Sequence, residues 1–309
     1  MNEYRTPQAF KAAFETRQRK RAAAAGMPFD RVAQVDLYFR FLDRVLQDPD
    51  SAVVVKGGVA LEMRLRRART TGDIDIRALG NPARILERMR QAGRRDHGDY
   101  LTFEVNERTG AAEIQGDGVV YEGRRFRVAA RFAGKPYRQS FGLDVAFGDP
   151  MVGAPDKVTA PDVLSFVGIA PPTIPLYPLG THLAEKLHAY TLPRDGVNGR
   201  MKDLIDIALV AAESMLQPSP MTLTASTIHE ALETTFAFRH THSLPPALPT
   251  PPTEWAARYP REKALNELPW ASIGDVHAEA ARFLDPVLAG TASGAWEPAG
   301  RAWGSARAG

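Results

Sequence analysis

The segment VVVKGGVALEMRLRRARTTGDIDIRA, residues 53–78, constrains this chain more than any other. Ala52-Val53-Val54-Val55 reads as a short buried strand, because β-branched side chains fit a pleated surface. Gly57-Gly58 ends it, and Val59 to about Arg67 has helical spacing, with Leu61 and Leu65 on one face. Thr70-Thr71-Gly72 then turns the chain into a second strand, Asp73 to Ala78. Residues two apart in a strand share a face, so Asp73 and Asp75 project together while Ile74 and Ile76 face a core. Two carboxylates so close repel each other unless a cation lies between them. Oxygen ligands without His or Cys suit Mg²⁺ or Mn²⁺, hard ions that also bridge phosphates. Glycines at a helix start let a phosphate approach backbone N–H groups closely. Taken singly, a Gly-Gly is a turn and an Asp-x-Asp is a surface loop. The strands on both sides favour a site.

A third carboxylate follows the same plan. Asp144 lies in Phe141-Gly142-Leu143-Asp144-Val145-Ala146-Phe147, with Leu143 and Val145 directed to the opposite face of a strand. A charge in that setting needs a partner. The two readings are an ion pair with an arginine at a sheet edge and a metal shared with Asp73 and Asp75. Asp149 and Asp156 read as turn residues.

Around this centre, helices are expected over 6–25 and from Pro28 to about Gln47, with Asp48-Pro49-Asp50-Ser51 as a break. Asn81-Pro82 opens another, to about Ala92. Strands follow at Leu101–Val105, Ala112–Gln115, Arg125–Phe132 and Gln139–Phe147, separated by Thr109-Gly110 and Gly134-Lys135-Pro136. Beyond residue 150 the pattern turns helical: Thr181–Tyr190, Met201–Ser214, 222–237 and 274–288. The proline-rich stretch Leu244–Thr253 reads as an extended connector, and residues 290–309 as a flexible tail. A mixed α/β half thus meets a helical half near residue 160.

The chain has no cysteine, which excludes disulfides, thiol nucleophiles and cysteine-ligated metals. Its start has no apolar core like that of a signal peptide, and no run approaches the roughly 18 apolar residues of a membrane span. A cytoplasmic protein without membrane contact is expected. Net charge is +3, unevenly spread: residues 1–100 hold 20 Lys/Arg against 13 Asp/Glu. A basic half attracts anionic partners such as RNA or a nucleotide, and it equally fits a solvated arginine-rich surface. The runs Arg17–Arg21 and Arg64–Arg69 carry the same two readings.

On these motifs the chain resembles the AbiEii/AbiGii nucleotidyltransferase-like toxins of the DNA polymerase β-like superfamily, over roughly residues 5–215. In that family the glycines precede a small residue, Ala-Leu, an Arg-containing helix and a Ser or Thr before Asp-x-Asp. Here those positions are Val59, Ala60-Leu61, Arg64 to Arg69 and Thr70-Thr71. A second stretch, residues 180–209, matches a helical lysine followed by Lys-Asp-x-x-Asp at the next helix start: Lys186 and Lys202-Asp203-Leu204-Ile205-Asp206. The resemblance implies an α+β, bilobed fold. A nucleotidyltransferase domain with a mixed sheet and flanking helices would occupy 1–160 and a mostly helical domain 161–289.

It further implies Asp73, Asp75 and Asp144 as metal ligands, with Lys186 and Asp203 completing the catalytic set. Lys56, Gly57, Gly58, Arg64, Thr71 and Lys186 would bind an NTP. The acceptor would be RNA, the 3′ end of a tRNA, with growth arrest as the result and a cognate antitoxin as partner. Read from the residues alone, Asp203 and Asp206 also suit a helix N-terminus, and Lys202 with Asp206 an ordinary i,i+4 pair. Glu185 and His188 read as packing or surface residues. Two rival readings remain: the same chemistry on a small hydroxylated acceptor, and a non-catalytic nucleotide- or RNA-binding protein of this fold.

Overall fold

A computed structural model of the 309-residue chain describes residues 4, 6–48, 52–65, 68–78, 82–108, 113–116, 119–148, 150–213 and 223–304, with 113–116 and 119–122 described by backbone alone. Arg66, Arg67, Thr109-Gly110, Asp149 and the last five residues of the expected tail lie outside the described residues.

Two helices come first, α1 (Pro7–Ala25) and α2 (Phe29–Leu46). Proline at the first position of α1 costs no hydrogen bond, and the Thr6 hydroxyl accepts the Ala9 N–H at 3.2 Å. The chain continues through β1 (Val53–Lys56), α3 (Gly57–Arg64), β2 (Asp73–Ala78), α4 (Ile85–Arg94), β3 (Leu101–Glu107), β4 (Glu113–Gly116), β5 (Val119–Phe132), β6 (Lys135–Pro136), β7 (Phe141–Ala146), β8 (Asp156–Thr159) and β9 (Thr173–Leu176). Among the described residues these strands form one sheet in the order β3-β5-β7-β2-β1-β9-β8, with β4 and β6 also on β5. The sheet is mixed: β2 runs parallel to β7 and β1 to β9, and the other pairs are antiparallel.

Alternation along the strands sends Val53, Val55, Ile74, Ile76, Phe103, Phe126, Val128, Leu143 and Val145 into one core with α1, α2 and α4. The opposite face stays polar and open over β3, where Thr102, Glu104 and Asn106 are exposed. An antiparallel sheet tolerates one solvated face. The basic residues of α2 are not all at the surface: Arg40 and Arg44 are buried with Asp99, at 2.8 and 2.5 Å, tying α2 to the start of β3. These two guanidinium groups hold the Asp99 carboxyl below the usual range against the opposing effect of burial.

The rest of the chain is helical, with α5 (Leu179–Thr191), α6 (Met201–Ala212), α7 (Ala225–Arg239), α8 (Trp255–Asn266) and α9 (Ile273–Leu288) around a second core. Helix α3 belongs to both cores. Val59, Ala60 and Met63 pack with the sheet, and Leu61 and Leu65 pack with the helices. Among the described residues no helix is long and apolar enough to cross a membrane.

Three expectations need correction. The sheet does not stop near residue 160, because β8 and β9 extend it to Leu176 and Tyr177 N donates to Val55 O at 2.8 Å. Prolines crowd residues 170–178, yet Ile174 and Leu176 alternate into the core beside them. Helix α8 was hidden by Pro260 in its interior, a residue that normally breaks a helix. The tail is ordered to 304: β10 (Trp296–Glu297) pairs with β11 (Ala302–Trp303). The Trp296 indole donates to Ala211 O at 2.8 Å, and Trp303 stacks on Phe283 at 5.4 Å. The connector 244–253 is likewise pinned, with Leu248 N donating to Asp285 Oδ1 at 2.8 Å and Tyr190 Oη to Pro249 O at 2.6 Å.

Replacing Trp296 by alanine removes a buried indole and its hydrogen bond. The expected loss is about 3–5 kcal/mol, as for other buried aromatics, read as a lower urea midpoint. An unchanged midpoint would mean that the tail is not part of the helical core.

Candidate active site

The register of four strands places four charges in one line. Lys56 of β1 lies opposite Asp75 of β2, Asp75 beside Asp144 of β7, and Asp144 opposite Arg125 of β5. All project from the face of the sheet opposite the apolar core. Along that line the charges run plus, minus, minus, plus.

The two inner carboxylates dominate the electrostatics. Burial pushes the Asp75 carboxyl up to about 7, with repulsion from Asp144 and Asp73 adding to it and Lys56 and Lys186 opposing it. Burial also raises Asp144, where Arg125 is the chief opposing influence and Asp73 adds repulsion. Arg125 Nε donates to Asp144 Oδ2 at 3.2 Å. Among the described residues the Asp75 carboxylate has no hydrogen-bond or ion-pair partner, although its backbone is paired on both sides.

Two glycines make this crowding possible. Gly57 has φ +66°, and a Cβ there would lie 1.9 Å from Asp75 Oδ2. Gly142, the register partner of Asp73, has room only for hydrogen, because a Cβ would lie 2.3 Å from Asp73 Oδ1. Its N–H donates to that same oxygen at 3.1 Å. Gly58 packs on Thr71 at the start of α3, whose first backbone N–H groups have no side-chain cap.

The helical domain supplies the opposite wall of a cleft of about 340 Å³. Lys186 on α5 is buried and reaches Asp206 Oδ2 at 2.6 Å and Asp203 Oδ1 at 3.3 Å, both on α6. Burial alone would lower its affinity for a proton, but Asp206 and Asp203 raise it overall, so the ammonium stays charged. Asp206 is fully buried and also takes Arg69 at 2.8 Å. Lys186 and Arg69 outweigh burial and hold its carboxyl below the usual range. Across the cleft, Lys56 meets Glu185 at 2.6 Å, Tyr177 Oη donates to Glu185 at 2.9 Å, and Arg239 approaches it at 3.8 Å. Burial pushes the Arg239 guanidinium down to about 10. His182 is buried in the same wall and is held neutral, first by burial and then by Lys186.

The structure therefore brings Lys56, Gly57, Gly58, Asp75, Asp144, Lys186 and Asp203 to one cleft, with Asp73 beside Asp75 on the same face. Two expected residues point elsewhere. Arg64 is buried and donates to Asp156 at 2.5 Å and to Tyr177 O at 2.8 Å, so it fastens α3 to β8 and not to the cleft. Asp156, expected in a turn, is its buried partner. Thr71 is buried beneath Gly58, its carbonyl taken by Arg31 at 2.6 Å, because the loop before β2 folds back under α3. Asp206 pairs with Lys186 and Arg69, and Lys202 lies exposed one turn away.

Arg69, Arg125, Glu185 and Arg239 line the cleft without having been singled out as site residues. For Arg125 a signal existed, since it opens the strand pattern that faces Asp144. For Arg239, at the end of a helix 53 residues beyond Lys186 in sequence, there was none.

Among the described residues no three His, Cys, Asp or Glu side chains converge as a ready metal cage. The donor set nevertheless fits a hard divalent cation. Asp75 is partly desolvated, shares a face with a second carboxylate, and carries a proton near neutrality where a cation would replace it. The fixed cations around it suit a polyanion.

The model of the family described as "Nucleotidyl transferase AbiEii toxin, Type IV TA system" matches residues 40–300. Among solved structures, the chain is similar to MenT4, a nucleotidyltransferase toxin from Mycobacterium tuberculosis H37Rv, at 19% identity and a TM-score of 0.47, over 89% of this chain and 98% of that one. It is also similar to JHP933 from Helicobacter pylori, at 12% identity and a TM-score of 0.45, over 84% and 93% of the two chains. No curated protein matches the chain.

Because the metal-free folded state prefers Asp75 protonated, with the pKa moved from 3.8 to about 7, its contribution to stability is greatest at low pH. That contribution declines as pH rises from about 4 through 7. Asp75→Asn imitates the protonated form. In chelator-treated protein it should melt a few degrees above wild type at pH 8 and by a smaller margin at pH 5. A margin that does not change with pH would refute this account of Asp75.

Proposed function

The chain belongs to the AbiEii nucleotidyl transferase toxin family, and we propose that it binds an NTP in this cleft and transfers the NMP to the 3′ end of an RNA, a tRNA being the expected acceptor. What supports the site assignment above all is the row Lys56–Asp75–Asp144–Arg125, facing Lys186 across the cleft.

In this reading Asp73, Asp75 and Asp144 hold Mg²⁺ or Mn²⁺. When bound, the ion would neutralise charge on the phosphates and favour ionisation of the attacking hydroxyl. The protein's own groups do the positioning. The uncapped N–H groups at Gly57-Gly58 meet the phosphate tail, and the missing Cβ atoms let it come close. Lys186 contributes a charge held in place by Asp203 and Asp206, and Lys56 one held by Glu185. Arg125 orients Asp144 through one oxygen. The other oxygen can then take the proton of the acceptor hydroxyl. A bond forms from that oxygen to the α-phosphorus in line with the departing group. The bond from the α-phosphorus to the bridging oxygen breaks, and pyrophosphate leaves past the cationic wall.

The family's description as part of a type IV toxin–antitoxin system supports an antitoxin as partner and growth arrest as the physiological result. The basic first third of the chain supports RNA over a small acceptor, since counterion release favours binding of long polyanions.

The test is incubation with each labelled NTP and Mg²⁺ or Mn²⁺, offered bulk tRNA or small hydroxylated acceptors. Label should appear at RNA 3′ ends, and label confined to small products would sink the RNA reading. Asp75→Ala and Asp144→Asn should each lower the rate by at least about 10²–10³-fold, the scale of losing a main electrostatic stabiliser. Their melting temperatures should stay within a few degrees of wild type. Expression of wild type in bacteria should stop growth and expression of Asp75→Ala should not. Transfer that survives Asp75→Ala would overturn the site.

A further inference from the structure

One face of the sheet is buried under helices, and the other is open where β3, β5 and β7 lie side by side. On β5 the side chains of Arg125, Arg127 and Arg131 project to the open face, alternating with Phe126, Val128 and Ala130 in the core. Neighbouring residues on one face of a strand are separated by about 6.6 Å. That is close to the step between phosphates in an extended single strand, and Arg127 and Arg131, with Ala129 between them, are two such steps apart.

Each arginine differs in how it is held. Arg125 is engaged by Asp144. Arg127 is exposed, and its Nε donates to Ser140 Oγ at 2.8 Å, so its two terminal nitrogens, without a partner among the described residues, can take a bidentate anion. Arg131 pairs with Glu104 at 2.5 Å, the two side chains being 36% and 49% exposed. Such an exposed pair contributes little, so a phosphate can displace Glu104. Across the ladder, β3 sets Asn106 beside Arg127 and Thr102 beside Arg131, uncharged groups that can bond a sugar or phosphate oxygen. Arg127 stands opposite Gly142, the residue that also accommodates Asp73, so the line of arginines leads directly to the carboxylates.

We propose that this line along β5 is the track for the single-stranded 3′ end of the acceptor RNA. Backbone phosphates lie on Arg127 and Arg131, and the terminal hydroxyl reaches Asp144. The inference rests on the RNA-acceptor reading above and specifies where that acceptor lies. Contacts of this kind position a strand without reading its bases, so the enzyme should tolerate changes of sequence a few nucleotides from the end. A protein partner suits this face less well. Protein interfaces centre on aromatic and apolar anchors, and among the described residues the exposed large hydrophobic side chains, Met27, Val197, Phe238 and Leu265, lie off β3, β5 and β7.

The experiment compares the full-length wild type with Arg127→Ala/Arg131→Ala and with Arg127→Lys/Arg131→Lys. A short single-stranded RNA labelled at its 5′ end serves as probe, titrated by fluorescence anisotropy across a range of salt. The double alanine variant should bind about tenfold more weakly. The slope of log K against log salt should fall in magnitude by about 1.4, from roughly 0.7 per lost phosphate contact. The double lysine variant should keep most of the slope. KM for the NTP, and transfer to a nucleoside acceptor that has no backbone phosphate to meet Arg127 or Arg131, should match wild type in both.

Wild-type affinity and slope in the alanine variant would overturn the track, and so would an equal loss with the nucleoside. If the wild type labels RNA and the alanine variant labels it with the same KM for RNA, the track falls and the RNA-acceptor reading stands. If the wild type neither binds nor labels RNA, both fall together.

Discussion

The repulsion between Asp75 and Asp144 is the constraint around which the rest of this structure is arranged. Two carboxylates on adjacent parallel strands, partly withdrawn from water, destabilise one another in the ionised state. The fold keeps them together by flanking them with Lys56 and Arg125 on the outer strands and by leaving Asp75 partly protonated near neutrality. Such a pair contributes nothing to the stability of the isolated chain. In the proposed reading a divalent cation would relieve that repulsion, and the surrounding backbone makes room for the carboxylates at Gly57 and Gly142. In a protein that holds its apolar core on the other face of the same strands, this tension is confined to one side of the sheet.

The cleft is lined with cations, and most of them are restrained. Lys186 lies between Asp203 and Asp206, Arg69 on Asp206, Lys56 on Glu185, and Arg125 on Asp144. A buried charge needs such a partner, and pairs of this kind are weak contributors to stability. What they supply is placement, because a lysine that is already desolvated and oriented has less entropy to lose when a polyanion arrives. Asp206 is central to this wall, since it is fully buried and takes two cations from different elements. Helix α3 carries the same logic into the architecture. It begins at the glycines beside Asp75 and packs one side on the sheet and the other on the helical core, so the two walls are joined next to the site.

Local pattern was sufficient for the elements that frame the centre. The valines before Gly57-Gly58, the alternation of Asp73–Ala78 and of Phe141–Phe147, and the helical spacing of α2, α5, α6 and α9 all appear in the structure within a few residues of expectation. Where proline intervened, local pattern misled, because Pro175 lies within β9 and Pro260 within α8, positions that strand and helix patterns ordinarily exclude. The tail was misread for a related reason: Gly, Ala and Ser around Trp296 and Trp303 suggest mobility until the indoles find Ala211 and Phe283.

The sequence by itself determined that Asp73 and Asp75 share a face, because strand periodicity is a property of the backbone, and that glycines stand where the chain enters α3. It also carried the motifs that mark the family. Only the tertiary structure decided the register that sets Asp144 beside Asp75 and Arg125 beyond it, and the direction taken by each arginine. Arg64 looked available for a phosphate and is spent on Asp156, whereas Arg239, which no motif marked, lies in the cleft. Side-chain identity is local, but the partner of a charge is chosen by which elements pack together, and desolvation then makes that choice binding.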